Sequence, residues 1–373
     1  MITIADIARA VTNPYTFWRT LSGISIEMCD GRPCYVAGNA AVSFRAEYHG
    51  RKMMLKCFTR SNTRLAAIYG TDFHARELCV SDISGRNTMI DCLLSPYIEG
   101  ISLDEAICRA DDSATFRQLA EGFDKLALEI ISSPRAHGDL KPENIIVGTD
   151  QTMTAIDWDA AFLPSLAGEQ ALEIGTAAYQ HPDRTIEMYD KHIDDYSIAA
   201  ISTMLHTAAA DPATIEYYKT YNEPAAMPHE IINGKTEWLE NTLNLLSAKG
   251  MAAEYRIARM LSSTTAYLLD LERVFKYKQT HISFDEESLY LDHEHGLWGC
   301  RNEAGWAIAP LFDSGFEPIE GIMLATLGNY IHFVTAGNNI IASFPATTTI
   351  KPLKGKRAQI KDERGERIVE LAY

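Results

Sequence analysis

One polar stretch near the middle of the chain restricts its fold more than any other feature. Residues 137–144 read HGDLKPEN and residues 156–159 read IDWD, so that Asn144 lies five positions after Asp139 and Asp157 lies eighteen after it. A strand that ends, turns through a short loop and returns as a hairpin would place these three side chains around one point. Amide and carboxylate oxygens are the ligands that Mg²⁺ prefers. Each residue alone fits an ordinary turn or surface position, but the combination at this spacing favours a functional site.

The stretch resembles the H-R-D-L-x-x-x-N and D-F-G motifs of the eukaryotic-like Ser/Thr protein kinase family of bacteria. The resemblance covers about residues 30–265 and implies transfer of the γ-phosphoryl group of ATP, with Mg²⁺, to hydroxyl groups of a protein substrate. By this resemblance Asp139 would orient or deprotonate the hydroxyl group, and Lys141 would neutralise the phosphoryl group. Asn144 would assist catalysis and would bind magnesium together with Asp157. His137 would have an architectural role.

By the same resemblance, the nucleotide would contact residues within the first hundred positions of the chain. Lys56 lies at the position of the family's phosphate-binding lysine and would hold the α- and β-phosphates. Gly38 and Val42 belong to residues 37–42, which read AGNAAV and take the position of the glycine-rich loop. Pro96 and Ile98 resemble the hinge, where backbone groups would meet the adenine edge; a proline keeps its carbonyl acceptor although it lacks an N–H group.

Two further residues would support the site by resemblance. Thr176 fits the threonine that forms hydrogen bonds near the catalytic Asp and Lys, and its segment, typical of protein kinases, favours a protein substrate. Asp194 would accept N–H groups of the catalytic loop, and simple capping of the following helix is the alternative.

Two ion pairs are also candidates. Glu77 would pair with Lys56, although it also fits the start of a strand. Asp183 takes the position of the Glu in the family's A-P-E motif and would pair with Arg256 or Arg259.

Three departures from the family pattern leave the activity open. The glycine-rich loop keeps one glycine, Gly138 replaces the family's arginine, and Asp159 replaces a glycine. A pseudokinase scaffold with a weak or absent nucleotide site is therefore one alternative. A kinase of small hydroxylated molecules is another, because His-Gly-Asp and residues 156–159 are also similar to aminoglycoside- and choline-type phosphotransferases.

The predicted fold class is α+β: a two-lobed protein-kinase-like fold with a C-terminal all-β repeat module. We predict a lead-in at 1–30, a small β-rich lobe at 31–100, a helical lobe at 101–284 and the β module at 285–373. Hairpins are predicted around Tyr48–Arg51 and around residues 85–87. Apolar residues at helical spacing between Phe116 and Ile130 predict a helix, and further helices are predicted from Asp194 to Ala209 and over 237–276.

The C-terminal segment from Gly296 onward is rich in Gly, Pro, aromatic and β-branched residues, and it repeats weakly at 32–37 residues. Trp298-Gly299 resembles the signature of the WG β-repeat family, which implies a module that could recruit a protein partner. The alternative is an irregular β tail folded onto the helical lobe. The separate-module interpretation predicts that a chain ending near residue 285 stays folded.

Composition limits the partners and the compartment. The net charge of -16 argues against non-specific binding to nucleic acid or to anionic membranes. There is neither a signal-peptide pattern nor an apolar stretch of about eighteen residues, so no membrane span is predicted. Seven cysteines without a C-x-x-C pair indicate free thiols in a reducing compartment, and we predict a cytoplasmic protein.

Overall fold

The computed structural model describes residues 2–38, 40–278 and 288–371. The chain divides into two compact units, residues 1–100 and residues 101–373. The first unit is rich in strands, and the second contains most of the helices followed by an all-β region. The protein is therefore of mixed α+β class, as predicted.

Within residues 2–38 and 40–100, the first unit contains two α-helices and eight strands. These are α1 (Ile4–Thr12), β1 (Ser25–Ile26), β2 (Met28–Cys29), β3 (Arg32–Pro33), β4 (Tyr35–Ala37), β5 (Ala41–Tyr48), β6 (Arg51–Phe58), α2 (Leu65–Tyr69), β7 (Phe73–Ser81) and β8 (Asn87–Pro96). Six strands form a sheet in the order β1-β5-β6-β8-β7, with β4 on β5. The predicted β5–β6 and β7–β8 hairpins are both confirmed.

Alternation along β5 explains how this sheet is buried. Val42, Phe44 and Ala46 point to one face and are buried, as expected for a strand with a period of two residues. They pack in one cluster with Ile7 and Val11 of α1. The lead-in therefore contributes a helix to the core of the first unit, a contact that no local pattern in the sequence indicates.

The disulfide between Cys29 and Cys34 corrects a prediction for the first unit. The expectation of free thiols is wrong for this pair, whereas the other five cysteines are free.

In its described residues, the second unit begins with a three-stranded sheet and eight α-helices. These elements are β9 (Gly100–Ser102), α3 (Leu103–Arg109), α4 (Ser113–Ser132), β10 (Ile145–Gly148), β11 (Met153–Ala155), α5 (Asp195–Ala210), α6 (Glu216–Tyr221), α7 (Pro228–Ile232), α8 (Trp238–Ala248), α9 (Ala252–Met260) and α10 (Leu271–Lys278). The predicted apolar face of α4 is buried, and α5 matches its predicted bounds within one residue. The region 237–276 is divided into α8, α9 and α10, because Gly250, with φ +68°, ends the first of them.

The all-β region forms three small antiparallel sheets. Their strands are β12 (Tyr290–Glu294), β13 (Leu297–Asn302), β14 (Gly305–Phe312), β15 (Ser314–Gly315), β16 (Met323–Leu327), β17 (Tyr330–Thr335), β18 (Asn339–Pro345), β19 (Thr349–Leu353), β20 (Arg357–Asp362) and β21 (Gly365–Glu370). The sheets are β12–β14, β15–β18 and β19–β21.

The hydrophobic core of the helices continues into this β region. Ile308, Phe312 and Met323 are fully buried in the same cluster as Leu246 and Ile257 of α8 and α9. The core does not stop at the boundary predicted at residue 285, so we now expect removal of the β region to unfold the helices. Among the described residues, none of the helices combines the length and the apolar character needed to cross a membrane.

Candidate functional site

The β10–β11 hairpin places Asn144 and Asp157 at the same end. Ile145 lies opposite Ala155 in the antiparallel register. The next pair outward is joined by a hydrogen bond from the Ile156 N–H to the Asn144 carbonyl, 2.8 Å long. Asp157 follows directly in the left-handed conformation, with φ +62° and ψ +53°. The two predicted metal ligands therefore leave the same end of one hairpin, as the spacing in the sequence predicts.

Asp139 lies at the centre of the candidate site and is tied down through several atoms. Its Oδ1 accepts a 2.6 Å hydrogen bond from the Thr176 N–H. Its backbone carbonyl accepts 2.8 Å from the Asn144 side-chain amide, whose nitrogen also lies 3.5 Å from Oδ2. The side chain of Asp139 remains 23% exposed, so this held carboxylate is still accessible from solution.

Lys141 lies next to the Asp139 carboxylate and is held there by Thr176. Its Nζ lies 3.8 Å from Asp139 Oδ2 and donates to Thr176 Oγ1 at 3.1 Å. The prediction that Thr176 forms hydrogen bonds near the Asp and the Lys is confirmed. One threonine thus holds both candidate catalytic groups.

His137 and Asp194 support the loop from the buried side. The Asp139 N–H donates to His137 Nδ1 at 3.3 Å, so the other ring nitrogen, Nε2, carries the proton and donates to the Ile156 carbonyl at 2.6 Å. Asp194 accepts the N–H groups of His137 and of Gly138, the latter at 2.8 Å. Its side chain makes no capping bond to α5, so loop support is confirmed and simple capping is wrong.

Gly138 and Gly175 allow three segments to approach closely. A Cβ on Gly138, where φ is +87°, would lie 2.3 Å from the Ala160 carbonyl oxygen. A Cβ on Gly175, where φ is +86°, would lie 2.6 Å from the Gly138 oxygen and 3.0 Å from Asp139 Oδ1. The arginine that the kinase motif carries at position 138 would not fit this backbone, which gives a steric reason for that departure.

Arg184 is a buried residue of the site that the sequence analysis missed. It is 6% exposed, and its Nη1 donates to the Gly138 carbonyl at 3.2 Å and to Gln180 Oε1. Burial lowers the pKa of the guanidinium, and the carboxylate of Asp194 opposes that effect. In the sequence, Arg184 stands among polar residues (181–187 read HPDRTIE), and nothing there reveals a contact with a residue 46 positions away.

The predicted ion pair of Asp183 is not formed with Arg256. Arg256 instead donates to Asp313 Oδ1 at 2.9 Å and to the Leu311 carbonyl at 2.7 Å, which links α9 to the β region. Asp183 is exposed on the surface. Arg259 lies against the Tyr255 ring.

Lys56 and Val42, in the first unit, are neighbours within the sheet. Val42 is fully buried and lies opposite Cys57, the residue after Lys56. Lys56 is 8% exposed, and its Nζ lies 5.5 Å from the centre of the Phe58 ring.

Glu77 has partners other than Lys56. The Thr20 and Leu21 N–H groups donate to its Oε1 at 2.6 and 2.7 Å, and the Thr20 hydroxyl donates to Oε2 at 2.7 Å. Among the described residues these contacts and His74 account for its carboxylate, so the suggested pair of Glu77 with Lys56 is wrong.

Gly38, Pro96 and Ile98 lie at turns or strand ends of the first unit. The Gly38 N–H donates to the Ala41 carbonyl at 2.9 Å in the turn between β4 and β5. Pro96 ends β8 opposite Met53, and Ile98 follows it.

The donor set of the second unit suits a hard cation. Asn144 directs its amide nitrogen at the Asp139 carbonyl, so its amide oxygen is the atom left to bind a metal. A carboxylate and an amide oxygen at one hairpin end, beside an accessible carboxylate and a lysine, can orient a hydroxyl group and balance charge on a phosphate group.

No family model matches the chain, and no curated protein was found to be similar to it.

Proposed function

We propose that this protein is a Mg²⁺-dependent phosphotransferase that moves the γ-phosphoryl group of ATP to Ser or Thr hydroxyl groups of a protein. The proposal includes a two-lobed kinase-like fold. One observation supports it: Asp139, Lys141 and Asn144 contact one another directly or through Thr176, and Asn144 and Asp157 flank the same end of the β10–β11 hairpin. Asp139 and Asp157 lie eighteen positions apart along the chain, and Asn144 connects them through its bond to the Asp139 carbonyl and its place at the hairpin end that Asp157 also leaves.

Asp139 would orient the attacking hydroxyl group and accept its proton. Its Oδ1 is held by the Thr176 N–H, so Oδ2 is the oxygen that would receive the proton. A positioned base of this kind contributes about 10²–10⁴-fold to a rate.

Lys141 would balance negative charge on the phosphoryl oxygens while the phosphoryl group moves from ATP to the acceptor hydroxyl group. The bond to Thr176 holds the Lys141 ammonium group 3.8 Å from Asp139 Oδ2, close enough to act on the same reacting centre. Asn144 and Asp157 would hold magnesium, which when bound neutralises phosphate oxygens.

The nucleotide part of the proposal lies in the first unit and rests on the sequence resemblance. Lys56 would bind the α- and β-phosphates, Gly38 and Val42 would cover the nucleotide, and Pro96 and Ile98 would meet the adenine. A cytoplasmic location and a partner for the all-β region stay predictions of the same kind.

The segment 175–180 favours a protein substrate over a small molecule. Thr176 ties its beginning to Asp139, and Gln180 ties its end to Ser197 at 3.2 Å and to Arg184. A segment fixed at both ends beside the carboxylate offers a surface on which an extended peptide could lie.

A pseudokinase scaffold is the second candidate, and the β4–β5 turn favours it. The Gly38 N–H is used inside the turn, and the following Ala40 and Ala41 lack the conformational freedom of glycine. Fewer backbone N–H groups can then approach a phosphate group.

The test is Mg²⁺-dependent ATP consumption and phosphate incorporation by the full chain. We expect Asp139→Asn and Asp157→Asn each to reduce turnover by about 10²-fold or more. Asp111→Asn, at a carboxylate 89% exposed, is the matched control and should leave turnover unchanged.

Each outcome selects one candidate. Absence of both turnover and a thermal shift with ATP and Mg²⁺ would support the scaffold. Phosphate found on small alcohols and never on protein would support the small-molecule kinase. Turnover that survives both Asp substitutions would contradict any role for this site.

A further inference from the structure

The β2–β3 hairpin of the first unit presents a second group of possible metal ligands. Its two-residue turn consists of Asp30 and Gly31, with φ +51° and +76°. Positive φ at both turn positions is the backbone of a type I′ turn, the tight connection that matches the twist of a hairpin. The residues flanking this turn are therefore held in a defined register.

That register puts Glu27, Cys29 and Cys34 on one face. Cys29 lies opposite Arg32, and the Cys34 N–H donates to the Glu27 carbonyl at 2.9 Å. Glu27 directly precedes β2, and the Cys34 N–H bond to its carbonyl extends the β2–β3 pairing to this position, so Glu27 and Cys29, two residues apart, share a face and Cys34 lies across from Glu27. One ligand atom from each residue lies within 4.8 Å of the other two.

The surroundings suit a metal that exchanges with solution. Glu27 and Cys29 are exposed and Cys34 is half-buried. Arg45 Nη1 lies 3.7 Å from Glu27 Oε1, longer than a direct hydrogen bond, so the carboxylate is oriented without being buried. The Cα atoms of the two cysteines are 5.4 Å apart. Two thiolates on one zinc ion need their sulfurs about 3.8 Å apart, from Zn–S distances of about 2.3 Å and tetrahedral angles.

We propose that the reduced hairpin binds a thiophilic divalent cation of the Zn²⁺ type through Cys29, Cys34 and Glu27, with water as the fourth ligand. Two thiolates select zinc over magnesium or calcium, which prefer oxygen. The disulfide and the metal use the same sulfurs, so the two forms exclude each other. The proposal concerns the first unit alone and does not depend on phosphotransfer.

The change between the two forms is a thiol–disulfide exchange. A dithiol reductant gives two electrons and two protons to the Cys29–Cys34 bond, which breaks to two thiols while the reductant becomes a disulfide. Metal binding then displaces the two thiol protons.

The test is a Zn²⁺ titration of the full chain, reduced with a dithiol, freed of metal and then freed of the reductant under anaerobic conditions, in competition with a coloured chelator. We expect one equivalent to bind. Cys29→Ser and Cys34→Ser should each abolish that equivalent, and Glu27→Gln should weaken it by about 10-fold or more, the scale of an altered metal environment. The oxidised chain should not bind it.

Matched controls keep the outcome specific. Glu47→Gln changes an exposed carboxylate on β5, in the six-stranded sheet of the same unit, and Cys108→Ser removes an exposed free thiol elsewhere. Both should bind Zn²⁺ as the unmodified chain does. Equal affinity in the unmodified chain and Glu27→Gln would reduce the site to an ordinary dithiol and overturn the proposal, as would binding that survives either cysteine substitution or no binding at all. If a cysteine variant misfolds, the Glu27→Gln comparison still decides.

Discussion

Two loops that the sequence analysis assigns to a phosphate site differ in how their backbones are held. In the second unit, the polar loop region, which we define as residues 137–144 with 157–160 and 175–176, fixes Asp139 through Thr176 and Asn144 and requires glycine at 138 and 175. In the first unit, the Gly38 N–H bonds the Ala41 carbonyl between β4 and β5, and a Cβ on Gly38 would be 3.6 Å from that same oxygen. The comparison teaches that the polar loop region depends on close contacts at fixed glycines, whereas the β4–β5 turn leaves room for a side chain.

Removing the β region should produce the largest effect, and the two units should respond differently to it. A chain ending at Lys278 loses the buried partners Ile308, Phe312 and Met323 of the helical core. We expect hydrogen exchange to show lost amide protection in the polar loop region, while the β5–β6 hairpin of the first unit keeps its protection. Retained protection around Asp139 would show that the helices fold alone, as the sequence had suggested.

Lys278→Met should be the most damaging single change among those proposed here. Its Nζ bonds Asp124 Oδ2 at 2.5 Å and Glu254 Oε1 at 3.0 Å, in a buried cluster that includes His206. Removing the buried ammonium group that bridges the two carboxylates, with only His206 left beside them, should cost about 3–5 kcal/mol in the free energy of unfolding. Lys52→Met, which removes the exposed pair with Glu99 in the first unit, is the control and should have no measurable effect.

The same cluster predicts a pH dependence. Lys278 lowers the pKa of Asp124 and of Glu254 against the opposing effect of burial, and the two carboxylates raise the pKa of Lys278. The stabilisation should be present between the ordinary carboxyl range and pH 10.5, fade as acid titrates the carboxylates and fade again in strong base. Urea unfolding across pH should show Lys278→Met and the unmodified chain converging in acid. A constant difference would contradict the ion cluster.

A pair of glycine substitutions tests the comparison directly. Gly138→Ala forces a side chain into a left-handed backbone against the Ala160 carbonyl and should cost about 2–4 kcal/mol. Gly38→Ala has neither problem and should change the free energy of unfolding by less than about 1 kcal/mol. Denaturant unfolding of both variants provides the measurement, and equal effects would remove the distinction between the two loops.

Arg184→Met should have a smaller effect than Gly138→Ala and should lower turnover by displacing the loop that carries Asp139. Without the bond to the Gly138 carbonyl, we expect kcat to fall about 10–100-fold, roughly 1.4–2.7 kcal/mol in the transition state, with KM for ATP unchanged. Arg184→Lys should restore part of kcat, whereas the exposed Arg109→Met should behave as unmodified. A change in KM for ATP, or in stability alone, would contradict the positioning role.

What the sequence predicted well depends on short-range patterns. Alternation gave the β5–β6 hairpin, helical spacing gave α4 from Phe116 to Ile130, and fixed motif spacing gave the meeting of Asp139 with Asn144. These features are set by neighbours along the chain.

What it missed depends on contacts between distant segments. The packing of α1 against the first sheet, the bond of Arg184 to Gly138 and the core shared by α8, α9 and β14 join residues with no common local pattern. Glu77 was mistaken for a partner of Lys56 because its distance along the chain fitted, whereas Thr20 and Leu21 take its oxygens.

The central claim is that Asn144 and Asp157 hold the metal of a nucleotide beside Asp139. Electron paramagnetic resonance of Mn²⁺, added to the full chain with and without ATP, tests it without requiring turnover. The account predicts nucleotide-dependent binding of Mn²⁺ that is lost in Asp157→Asn and weakened in Asn144→Ala, and kept in Asp111→Asn. Mn²⁺ binding that ignores ATP, or that persists in Asp157→Asn, would contradict the account.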